Sequence, residues 1–326
     1  MTTFGDQVYQ YGGAPVGGGR FSSPWATHYF VDAINGTANG AGTRPDKAFS
    51  TIQAAVTKAT GGDIIYIRPK AYTLGTGFAR YIEDVTLTQG GTTGSGQTAT
   101  NARISLIGIT PQGVSGEMLG VRWKVSATNG TNFTVQAPGT HIENIAFFNE
   151  EATGRNIYFQ SGMAARTYGG GDGSSLYNCD LKGGAAVYSN GGSALQIVNC
   201  SFGMKHDGSG TALWLEGTGD NDGGALARPR IQNCTFQGGN ANNCTTSPVI
   251  IQGSVYDLNM RDCYFTSIGP DSGDYIQLSG VCDGIVANCY FADASAEGNL
   301  GSLAGGDYGV FSAGCYDETG IIAMTA

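Results

Sequence analysis

The chain has 326 residues, 40% hydrophobic and only 13% charged, with a net charge of −9 at pH 7. That length suits one large domain or two ordinary ones, and the apolar share suffices for a packed core. The acidic balance argues against a nucleic-acid groove and against binding to anionic membranes, and no apolar run is long enough to span a bilayer.

Glycine, at 54 residues, is abundant without a collagen-like period. Together with the low charge it argues against long surface helices and for strands joined by tight turns.

The amino-terminal stretch, FGDQVYQYGGAPVGGGRF and its surroundings, strings Phe4, Val8, Tyr9, Tyr11, Val16, Phe21 and Trp25 between glycines. Such a segment cannot build its own core, so residues 1–26 are expected to form an extended arm and 27–326 the body. The start has neither a basic region nor an apolar core, so no secretion signal is expected. The eight cysteines are then read as reduced thiols.

In AFSTIQAAVTKATGG, Ser50 and Gln53 have the spacing of a capping box. Ile52, Ala55, Val56 and Ala59 make one apolar face, and Gly61 and Gly62 stop the helix, expected at about 50–60. DIIYIRP reads as a buried strand, and strand-like pieces continue at VTLTQ, RISLIGIT, VRWKVS and NFTVQ.

A repeat follows. One slot is filled by Ile145, Cys179, Cys200, Cys234, Cys263 and Cys289, at intervals of 34, 21, 34, 29 and 26 residues. Just before it stand Asn144, Asn178, Asn199, Asn233, Asp262 and Asn288. Two residues further back lie Ile142, Leu176, Ile197, Ile231, Met260 and Val286, and two after the slot Phe147, Leu181, Phe202, Phe236, Phe265 and Phe291.

A second motif, closing on Gly162, Gly191, Gly217, Gly253, Gly280 and Gly314, falls between these rows, implying two short strands per repeat. Constant motif with variable spacing is what a parallel solenoid requires, because loops absorb insertions while strands stack in register. The Ile, Cys and Phe columns are expected inside, and the asparagines where the chain bends, their amides bonded to one another. About nine coils would extend ~40 Å.

The sites of chemistry are sparse. GTGDNDGG offers Asp220 and Asp222, with Glu216 on the preceding strand, as the best carboxylate cluster for a glycosidase-type pair. The polygalacturonase-like pattern of stacked aspartates, Gly-His-Gly and Arg-x-Lys is missing, and His206 in KHDGSG lies in a turn. ARPR at 227–230 is a surface arginine pair, while His28 and His141 stand without a visible partner. No CxxC pair or histidine cluster suggests a metal, and no cofactor is implied.

HYFVDAINGTANGAGTRPDKAFSTIQAAVTKATGGDIIYIRPKAY resembles the amino-terminal signature of right-handed parallel β-helix proteins of the pectate-lyase-like superfamily. With the ladder, the resemblance covers roughly His28 to the carboxyl terminus and implies an all-β, right-handed parallel β-helix. That scaffold hosts lyases, hydrolases, phage tailspikes and non-catalytic virion proteins.

The first 25 residues resemble the short leader of bacteriophage β-helix proteins. This implies a virion protein assembled in the bacterial cytoplasm, decorating the capsid exterior and tethered through residues 1–25 to the major capsid protein; a homotrimer follows by analogy. The alternatives are a tailspike-like depolymerase of host surface polysaccharide, using Asp220, Asp222 and Glu216, or a non-hydrolytic glycan adhesin using Tyr188 or Trp214.

Overall fold

The computed structural model of the protein describes residues 10–11, 14–15, 26–70, 72–73, 77–90, 100–109, 120–126, 130–149, 154–161, 169–204, 210–217, 224–238, 247–266, 275–292, 309–317 and 320–321. Gln10–Tyr11 and Ala14–Pro15 pair antiparallel with each other. Phe4, Val8, Tyr9, Val16, Phe21 and Trp25 lie outside the described residues, and of Tyr11 only the strand is described.

The body is a right-handed parallel β-helix with three strand faces per coil. The first face stacks Thr131–Val135, Arg155–Phe159, Ala185–Ser189 and Leu213–Gly217 onto the leading parts of Val249–Arg261 and Ile276–Ala287. The second stacks His141–Glu143, Ser175–Tyr177, Gln196–Val198 and Arg230–Gln232, then the trailing parts of the same two long strands and Gly309–Ala313. The third runs from Tyr81–Ile82 through Arg122–Lys124, Ala146–Asn149 and onward to Tyr316–Asp317. One antiparallel strand, Gly320–Ile321, ends that sheet.

The two strands expected per repeat are therefore three. The Asn-Cys motif straddles a corner instead of lying on one strand. Ile142 and Ile145 both point inward and are fully buried although three residues apart, which breaks the two-residue alternation of a strand. The residue between them turns the chain in the left-handed region: φ is 59° at Asn144, 49° at Asn178, 54° at Asn199, 53° at Asn233, 54° at Asp262 and 53° at Asn288. Asn and Asp tolerate that conformation better than other side chains, which is why the slot keeps them.

A seventh row follows the six. Gly309–Ala313 pairs with Asp283–Ala287 on the second face, so GVFSAG does not continue the second motif. Gly314, at φ 63°, fills the corner position, and Cys315 is buried in the thiol column. This row is hidden in the sequence because Gly314 closes an apolar run just as the other glycines do.

Inside, the third face carries Tyr81, Trp123, Phe147, Leu181, Phe202, Phe236, Phe265 and Phe291 in one register column, none more than 1% exposed. The Phe202, Phe236, Phe265 and Phe291 rings stack at 4.8, 4.8 and 4.7 Å. This is the strand spacing itself, so register and aromatic packing reinforce each other.

At the front, the helix Ile52–Lys58 packs Ile52, Ala55 and Val56 into the same core as Tyr29, Val31 and Ile65. Its N-cap is Thr51, not Ser50: the Thr51 hydroxyl accepts from the Ala54 N–H at 3.2 Å. The N–H groups of Ile52 and Gln53 donate to the Glu83 carboxylate, which does the work expected of a capping box. Gln53 instead donates through Nε2 to Thr57 and accepts from the Thr86 N–H.

Candidate functional site

The corner residues form a partial amide ladder. Asn178 donates to Asn144 at 2.6 Å, Asn233 to Asn199 at 2.7 Å, and Asn288 to the Asp262 carboxylate at 3.3 Å. Cys179, Cys200, Cys234, Cys263 and Cys289 are buried free thiols beneath it. Their sulfurs point at backbone carbonyls, as Cys234 does toward Gln232 and Ile197 at 3.3 and 3.6 Å.

The hydrogen bond with Cys263, with burial added, pushes the Cys289 thiol up to about 12, and burial pushes Cys282 up to about 11. Raised thiols such as these two are poor nucleophiles and poor metal ligands, whereas the Cys234 thiol, against its burial, is held low by hydrogen bonds from Cys200 and Cys263. Among the described residues no three His, Cys, Asp or Glu side chains gather as a metal-holding group.

On the outside, the acidic cluster read from GTGDNDGG is only partly visible. Asp220 and Asp222 lie outside the described residues, as does His206. Glu216 accepts a hydrogen bond from the Tyr188 hydroxyl. Tyr188 belongs to an aromatic strip on the first face: its ring lies 5.2 Å from Tyr158 and meets Trp214 edge-on at 5.5 Å. The Arg155 guanidinium sits 3.9 Å over it. Burial, and then the bond to Glu216, hold the Tyr188 hydroxyl far above the ordinary phenol range. Trp214 Nε1 is buried with no hydrogen-bond partner among the described residues.

The second face carries a constellation that the sequence reading missed. His141 does not stand alone. Its Nδ1 lies 2.8 Å from Ser175 Oγ and its Nε2 lies 3.1 Å from Glu143 Oε2. His141 and Glu143 share the outer side because they are two apart on one strand, and parallel register sets Ser175 beside His141.

The signal was present in the aligned rows: His141 and Ser175 each stand three residues before the corner asparagine. His141 and Ser175 border an open groove of about 660 Å³ whose walls include Tyr177, Gln196, Arg230 and Gln232, and Glu143 reaches it only through His141. Arg230 Nη2 donates to Gln232 at 2.5 Å, so that arginine belongs to the groove wall. His28, by contrast, lies edge-on to Tyr66 at 5.7 Å, and burial lowers its pKa.

No protein-family model matches the sequence, and no curated protein matches it. Among solved structures, the pectin methylesterase from Aspergillus niger superposes over 92% of this chain and 88% of its own, with a TM-score of 0.57 and 14% identity. A rhamnogalacturonan lyase superposes over 82% and 68%, with a TM-score of 0.51 and 14% identity. ORF18 of Geobacillus virus E2 aligns over 90% and 62% at 11% identity, and its TM-score of 0.44 is too low to carry a shared fold. At such identities the likeness is one of fold, and the class it defines is the right-handed parallel β-helix.

Proposed function

We propose that the chain is a structural protein of a bacteriophage virion, a β-helix that decorates the capsid exterior and is tethered to the major capsid protein through residues 1–25. The observation that carries this reading is the leader, glycine-rich and studded with Phe4, Val8, Tyr9, Tyr11, Val16, Phe21 and Trp25, and resembling that of phage β-helix proteins. An extended arm gains affinity by strand addition and aromatic anchoring without needing a preformed groove. The column of side chains from Tyr81 to Phe291 supports the same role, since it makes the body a stiff projection. A homotrimer assembled in the reducing bacterial cytoplasm suits the seven described free thiols.

The test is co-sedimentation of capsids with the full chain and with residues 26–326. Full-length protein should pellet with the particles and the truncated, folded solenoid should not. Equal decoration by both would refute the tether.

The adhesin reading has one observation of its own, the Tyr158–Tyr188–Trp214 strip on an outer face. Of the carboxylates in the depolymerase reading only Glu216 is described, and it accepts a hydrogen bond from Tyr188.

A further inference from the structure

From the groove on the second face we infer that Ser175, His141 and Glu143 form a serine-hydrolase site, cleaving small acyl esters of a sugar-like alcohol. Nucleophile, base and orienting carboxylate follow one another at 2.8 and 3.1 Å, which is the sequence of contacts that activates a serine hydroxyl. The order is built into rigid strands, not loops. His141 is only 4% exposed, so its ring is held by packing, while Ser175 is half-buried on the groove wall. Asn144 Nδ2 approaches the other Glu143 oxygen at 3.4 Å, which ties the carboxylate to the corner ladder.

The geometry also selects the donors for a developing oxyanion. The Ser175 N–H already donates to Thr140 O at 2.8 Å and the Gln196 N–H to Ser174 O at 2.9 Å. The task therefore falls to a side chain, and the register sets the exposed Gln196 one rung from Ser175, with Arg230 on the next. From His141 to Arg230 is three rungs, roughly 14 Å at ordinary strand spacing, and the wall is mainly amide, guanidinium and phenol. With the Asp262 carboxylate and the apolar Val198 also on the wall, that surface suits a hydroxyl-rich alcohol carrying a small acyl group such as acetate.

With Nε2–H donated to Glu143, Nδ1 accepts the Ser175 proton as Oγ bonds to the ester carbonyl carbon. The carbon–oxygen bond to the alcohol then breaks, and His141 returns the proton to the departing oxygen. Water repeats the cycle: it gives a proton to His141 and bonds to the acyl carbon, and the acyl–Ser175 bond breaks as Oγ is reprotonated. The products are the acid and the alcohol. Glu143 takes no proton in this scheme and faces the transient imidazolium.

The experiment treats the full-length protein with a fluorophosphonate probe and maps the adduct by peptide mass spectrometry, alongside hydrolysis of p-nitrophenyl acetate and of O-acetylated xylan. The expected result is one adduct, on Ser175. Hydrolysis should fall at least about 100-fold in Ser175→Ala and in His141→Asn, and Gln196→Ala should lower kcat more than it raises KM.

Labelling of the unaltered protein needs no variant to fold. An adduct elsewhere, no adduct, or hydrolysis equal to that of Ser175→Ala overturns the assignment. The capsid experiment is independent of this outcome, so either reading can fail alone.

Discussion

Replacing the corner asparagine Asn233 separates two terms that the fold combines. At φ 53° the position lies in the left-handed region, and its side chain donates to Asn199 at 2.7 Å on the exposed surface. Alanine there keeps a Cβ in that region, costing about 1–2 kcal/mol, and loses an amide hydrogen bond worth roughly 0.5–1.5 kcal/mol, at the low end for an exposed pair. Asn233→Ala should therefore destabilise by ~1.5–2.5 kcal/mol.

Asn233→Gly loses the same bond but no strain is added. Its further cost is the freedom glycine gains in the unfolded chain, about 0.4–1 kcal/mol. The glycine variant should be the more stable of the two by about 1 kcal/mol, the reverse of their order in an ordinary strand. Gly314 already shows that glycine is accepted in this slot at φ 63°. Urea titration followed by the fluorescence of Trp123 and Trp214, compared by midpoint at constant slope, measures the difference. Alanine equal to or better than glycine would refute the corner account.

Two further outcomes follow from the core and from one outer face. Phe236→Ala removes a fully buried ring stacked on both sides at 4.8 Å and should cost about 3–5 kcal/mol. Phe236→Leu should cost clearly less, because Leu181 fills the same column; equal losses in the two variants would contradict the stacked register.

Asp180, 1% exposed on the third face, is pushed by burial from 3.8 to about 6, with Ser201 and Arg122 opposing the rise. A carboxyl whose folded pKa is raised contributes its stability below the unfolded value and loses it as pH climbs through the folded one. The displacement of about two pH units corresponds to roughly 3 kcal/mol. Asp180→Asn should therefore gain on the parent protein between pH 4 and pH 7 in paired thermal melts, and an unchanging gap would refute the assignment.

The sequence reached the solenoid because side-chain columns repeat whenever strands stack in register, and Ile142, Ile145 and Phe147 with their counterparts keep their chemistry at every coil. The third face was hidden in the same rows. The interval of three between two inward residues already implied a corner, but on a single row it looks like an irregular strand. Ser50 was preferred over Thr51 by a local pattern, while the helix start is decided by Glu83, some thirty residues away, whose approach depends on the coil path. His141 and Ser175 are likewise 34 apart, and only the register joins them. The outer faces were the least readable, because loops of unequal length leave no periodic trace of which polar groups they bring together.

The most direct check on a purely mechanical interior is to count the thiols that react with a small disulfide reagent before and after unfolding. The chain has eight cysteines, and the seven described ones are all buried. Native protein should react at no more than Cys244, which lies outside the described residues. A Cys244→Ser variant should be silent until denaturant releases all seven. Rapid labelling of Cys179, Cys200, Cys234, Cys263 or Cys289 in the folded state, or a metal recovered with them, would contradict it.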